Sequence, residues 1–158
     1  MSTLNLTDEP QSPLQEYEKN NQVKSGANWF FWIAALSMIN SAIFIFGGNW
    51  SFFAGLAVTQ VADSLVVAAS RNDDFSIAKI IALVMDFIIA GIFVMCGIFA
   101  GRLQSWAFII GMVLYALDGV LALILGAYLA AGFHAFALFM IFRGFSAARH
   151  LNVNNLSQ

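Results

Sequence analysis

The sequence predicts an all-α fold, an integral membrane bundle of five transmembrane helices, and three observations lead there. Hydrophobic residues make up 60% of the 158 positions and charged residues only 10%. A soluble domain carries roughly 25% charged residues, so this chain cannot cover its surface with polar groups. The apolar residues also gather into five runs, each approaching the ~20 residues that carry a helix across ~30 Å of hydrocarbon. Finally, the sequence lacks the strands of alternating polarity that a membrane barrel needs. Helix follows because in lipid each segment must pair its own backbone N–H and C=O groups.

The chain opens with a polar stretch, 1–28, that holds both prolines and has little apolar area to offset the entropy of ordering it. A flexible N-terminal tail is expected there. Run one, about 29–47, reads WFFWIAALSMINSAIFIFG, and run two, about 51–70, reads SFFAGLAVTQVADSLVVAAS. Run three covers about 77–100, run four about 106–126, and run five about 128–147. The transmembrane bundle is thus expected over 29–150, followed by a short polar C-terminal tail, 151–158. Trp29, Trp32, Trp50 and Trp106 fall at the ends of runs, where their amphipathic rings suit the membrane–water interface. Gly97 and Gly101 form a GxxxG pair that permits close helix approach.

Run two is the most polar, with Thr59, Gln60, Asp63 and Ser64 on one helical face. The alternative to five crossings is therefore four plus one re-entrant segment. With five crossings, Lys19, Lys24, Arg71 and Lys79 share one side, and Arg102, Arg143 and Arg149 the other. With four, the tail, Arg102 and the C-terminal arginines share a side, as the positive-inside rule prefers. Either arrangement places the N-terminal tail, with Lys19 and Lys24 ahead of the first span, in the cytoplasm.

Three acids lie deep in these runs: Asp63, Asp86 and Asp118. An ionised aspartate at the centre of a membrane helix costs roughly 2.5–3.5 kcal/mol by insertion scales. All three must then face the bundle interior, carry a proton or be paired. Asn40, with Ser37 and Ser41, supplies polar groups to run one, Gln60 joins Asp63 in run two, and His134 supplies run five. The expected site is a polar core of Asp63, Asp86, Asp118, His134, Gln60 and Asn40. Carboxylates and an imidazole in a dry cavity bind cations or exchange protons. The plainer alternative is a closed hydrogen-bond network that fixes helix register, and for His134 alone a hydrogen-bonded core histidine. Arg143, near the end of run five, is expected to snorkel to the interface.

Other chemistries lack their residues. No spacing of His134 with the acids supports a metal site, and no cofactor is implied, since His134 is the one histidine within a span. An intramembrane serine protease needs a GxSG-like nucleophile site, and an intramembrane aspartyl protease needs YD and GxGD. The chain offers MDF and LDG instead. No catalytic residue is assigned. A net charge of −2 provides no basic patch for nucleic acid. The lone Cys96 forms no intrachain disulfide and reads as a small core residue.

The stretches WFFWIAALSMINS, GMVLYALDGVLAL and GFHAFALFMIFRGF resemble a group of small multi-pass bacterial membrane proteins of unknown function. That resemblance implies a bacterial inner membrane and carries no site residues. Two functions are expected to compete: binding or relay of a proton or small cation at the Asp/His core, and a non-catalytic accessory or scaffold subunit of a larger membrane complex. The expected partners are the lipid bilayer and either another membrane protein or a second copy of the chain.

Overall fold

The computed structural model describes residues 12–46, 56–61, 64 and 75–156. Four long helices make up most of it: α1 (Pro13–Ile45), α2 (Phe75–Gly101), α3 (Ser105–Ile124) and α4 (Tyr128–Leu156). Residues 57–61 add a short helical stretch, and no strand occurs among the described residues. Three stretches, Leu83–Gly101 in α2, Ser105–Ile124 as α3 and Tyr128–Val153 in α4, are long and apolar enough to cross a membrane, which fits a membrane location. Run one of the sequence lies within α1 as far as Ile45. Most of run two, including Asp63, lies outside the described residues, as does Trp50.

α1 is one helix of 33 residues, and it begins inside the stretch expected to be a flexible tail. The local reason is a start signal that the polar composition hides. Ser12 caps the helix by accepting a hydrogen bond from the Gln15 N–H at 3.4 Å, and Pro13 occupies the first helical position, where its missing N–H is no loss. The tertiary reason is that Val23, Gly26 and Ala27 are buried in this first half of the helix. At about 1.5 Å per residue α1 is about 50 Å long, more than the hydrocarbon of a bilayer. The C-terminal end shows the same effect. α4 continues to Leu156 beyond the expected limit of the bundle, with Leu151 buried. Asn152 Nδ2 donates to the Leu103 carbonyl at 2.9 Å. That bond ties the end of α4 to the α2–α3 turn, where Leu103 has a positive φ of 64°.

The helices pack in a closed circuit, α1 against α2 and α4, and α3 against α2 and α4. The α3–α4 link is three residues long, 125–127. Gly126 sits there at φ +74°, and the Ala127 N–H reaches back to the Ala122 carbonyl at 2.9 Å. This glycine-closed helix end makes α3 and α4 antiparallel neighbours.

Small residues set the closest approaches. A Cβ on Gly144 would lie 2.7 Å from the Gly26 Cα, so α4 and α1 touch backbone to backbone there. At Gly97 a Cβ would lie 2.9 Å from the Phe31 ring and 3.3 Å from the Ala27 carbonyl oxygen, which puts the GxxxG face of α2 against α1. Phe30 is fully buried, its ring lying where a Gly111 side chain would be. Aromatic rings then run through all four helices. Phe145, Phe108, Phe30, Phe93 and Tyr115 follow one another at centroid separations of 6.1 to 6.4 Å. Tyr115 ends that run against His134. The outward faces of α2 and α3, with Val84, Ile88, Ile92, Val113 and Val120, stay apolar and exposed, as helices set in lipid require.

The Gly26–Gly144 contact predicts a pair of opposite outcomes. Gly144→Ala should destabilise the protein by about 1–3 kcal/mol, because the new methyl meets backbone that cannot yield. Gly132→Ala, where nothing lies within 4 Å, should be neutral or gain up to about 1 kcal/mol from helix propensity. Unfolding of both variants in one detergent would check this.

Candidate functional site

Asp118 lies roughly two turns before the end of α3, and His134 roughly two turns after the start of α4. The short α3–α4 link therefore brings the two side chains to one level. Their contact is direct: His134 Nε2 lies 2.7 Å from Asp118 Oδ2, with the side chains 2% and 4% exposed. Gly119 makes room for it, since a Cβ there would lie 3.0 Å from the His134 Cβ. The Tyr115 ring stacks on the imidazole at 4.3 Å and 19° between planes.

The carboxylate has two further partners. The Ala57 N–H donates to Oδ2 and the Val58 N–H to Oδ1, each at 2.8 Å. These amides open the 57–61 helical stretch, and the first amides of a helix have no partner within it. Asp118 thus caps a helix start far away in sequence, where an N-terminal carboxylate is favoured by hydrogen bonding and by the helix dipole. Thr59 Oγ1 donates to the Leu56 carbonyl at 2.9 Å and closes the turn locally.

The second ring nitrogen settles part of the proton count. His134 Nδ1 lies 2.7 Å from the Ala130 carbonyl oxygen. A carbonyl only accepts, so Nδ1 carries a hydrogen. The Nε2–Oδ2 contact then holds one proton, either on the ring, as an imidazolium facing a carboxylate, or on the acid, facing a neutral ring. Either way the pair is neutral overall, which suits its burial.

Asp86 is placed differently. It projects from α2 towards α1, where the Ser41 hydroxyl donates to its Oδ2; the Ser37 carbonyl, 3.2 Å away, is the alternative acceptor for that hydroxyl. Asp86 Oδ1, Ser37 Oγ and Tyr115 Oη are buried without a hydrogen-bond partner among the described residues. Asn40 is buried next to Ser41 and is also engaged. Gln60 is half-buried in the 57–61 stretch. The expected single polar core is therefore, in the described residues, two groups on different helix pairs: Asp86 with Ser41 between α1 and α2, and Asp118 with His134 between α3 and α4. No three His, Cys, Asp or Glu side chains gather in one place among the described residues. Arg143 is exposed.

Some partners carry weak or no sequence signals. Tyr115 stands three residues before Asp118, a helical neighbour on the same face, and that spacing was readable. Gly119, beside the acid, was a hint of close approach. The Ala57 and Val58 amides leave no trace in residue type at all. Comparisons with protein families, curated proteins and solved structures return no match to this chain, so the functional reading rests on this geometry.

The site predicts unequal costs for its two acids. Asp118→Leu strands the His134 ring and two helix-start amides, and should cost about 3–5 kcal/mol. Asp86→Asn keeps an acceptor for Ser41 and should cost under about 1 kcal/mol. Equilibrium unfolding of the two variants in lipid–detergent micelles separates them; equal losses would contradict this placement.

Proposed function

We propose that this chain is a small integral membrane protein whose Asp118–His134 pair holds one exchangeable proton, as the binding site or relay station in transfer of a proton or small cation. The observation that carries the reading is the buried contact between Nε2 and Oδ2, with Nδ1 committed to a carbonyl. Such a pair moves one proton without creating net charge in a desolvated site, and ionisable groups at membrane depth mark ion and proton pathways by default.

Five crossings complete this reading, with the apolar part of α1 and run two added to the three membrane-length stretches, and with the N-terminal end in the cytoplasm beside Lys19 and Lys24. What supports the count is run length and hydropathy in the sequence.

Infrared difference spectroscopy in nanodiscs across a pH series tests the reading. The expected result is a carboxyl band that changes with pH in the native protein and is lost in Asp118→Asn but kept in Asp86→Asn. A pair that shows no change at any pH the fold survives would instead be a structural tie, and the accessory-subunit reading would replace this one.

A further inference from the structure

A groove of about 290 Å³ lies against the site, and it carries the inference one step further, to a class of ligand. Leu56 and Val58 form one wall, Ile89, Ile92 and Phe93 of α2 another, and Leu117 of α3 a third, with Asp118 in the lining. Every other lining residue is apolar. A groove of this kind has a definite chemical preference. An anion would face the carboxylate without a donor side chain. A small hydrated metal ion needs several oxygen ligands to replace its water, and one carboxylate in an aliphatic wall cannot supply them. An ammonium that carries its own apolar surface meets both demands: it sheds little hydration, and it finds aliphatic contact beside a negative charge. The Phe93 ring adds a cation–π surface. Once the shared proton has left, the carboxylate keeps only the Ala57 and Val58 amides as donors, and its negative charge is free to meet a cation.

We propose that this groove binds a lipophilic monocation, of the quaternary or hydrophobic ammonium class, in exchange for the proton of the Asp118–His134 pair. The proposal rests on the proton-holding reading above. Its charge balance is explicit. Before binding, the pair with its proton is neutral. The cation enters beside the Asp118 carboxylate, the proton leaves the pair for water, and His134 stays neutral with its Nδ1 hydrogen on the Ala130 carbonyl. One positive charge replaces another, so the buried site remains neutral throughout. The groups facing the pair do not compete for this role. Tyr115 faces it from α3, α2 presents only Ile89, Ile92 and Phe93 to the groove, and 57–58 present backbone amides.

The test uses the full chain in nanodiscs with benzyltrimethylammonium, whose fixed charge has no proton to lose, so that any proton released comes from the protein. Titration in weak buffer with a pH indicator should give saturable binding, about one proton released per cation, and affinity rising about tenfold per pH unit while the pair is protonated. Neopentylbenzene, the uncharged isostere, should release none. Phe93→Leu should weaken cation binding at least about threefold. Asp118→Asn should abolish binding and release together. Leu117→Trp fills the groove from a largely exposed position and leaves the pair intact; it should abolish cation binding yet keep the pH-dependent carboxyl band. Binding without proton release, binding unchanged in Leu117→Trp, or no binding at all would overturn the proposal. In each case a carboxyl band that still titrates preserves the proton-holding reading, and a band that does not titrate removes both.

Discussion

The structure depends on how one buried carboxylate is satisfied. Asp118 accepts from the His134 ring and from two amides at the start of the 57–61 stretch, at 2.7 to 2.8 Å. It therefore ties α3 to α4 and to a segment some sixty positions earlier in the chain. An acid at membrane depth is costly when unpaired. The fold meets that cost by spending two otherwise orphaned backbone donors and a histidine on it. Of the three bonds that make Asp118 tolerable, the one to His134 also fixes the level of α4 against α3. That arrangement makes one interaction both the anchor of the bundle and the candidate centre of its chemistry.

Close packing supports this anchor from a distance. The backbone contact of Gly26 with Gly144 draws α1 onto α4, and the run of rings from Phe145 to Tyr115 passes through all four helices before ending on the imidazole. The Tyr115 ring and the Gly119 backbone together leave the His134 ring little freedom to turn. A ring held in this way keeps Nδ1 on its carbonyl, so that only Nε2 has a change of protonation to undergo. Pre-set orientation of this kind is what the proposed exchange of a proton at Nε2 requires.

Much of this was legible in the sequence, and the rest was missed for identifiable reasons. Hydropathy alone placed α2, α3 and most of α4, because a helix surrounded by lipid is apolar on nearly every side. Asp118 and His134 stood out for the same reason, as polar residues in apolar runs. Their pairing did not, because the rotation of a lipid-embedded helix is set by packing, not by its own hydrophobic pattern. Asp86 shows the limit: equally prominent in the sequence, it turns to Ser41 on α1. The early start of α1 was written in Ser12-Pro13-Leu14-Gln15, a capping pattern that the polar composition around it obscured. Ala57 and Val58 act through backbone amides, which no residue type reveals.

The most direct test of the central claim is nitrogen NMR of isotope-labelled His134 in bilayers, assigned against His134→Gln and followed across pH. Nδ1 should stay protonated throughout, while the Nε2 signal moves between its protonated and hydrogen-bond-accepting positions as the pair gains or loses its proton. A ring that shows a bare Nδ1 with Nε2 permanently protonated would contradict the account, because the Ala130 carbonyl would then hold no hydrogen and the pair no shared proton.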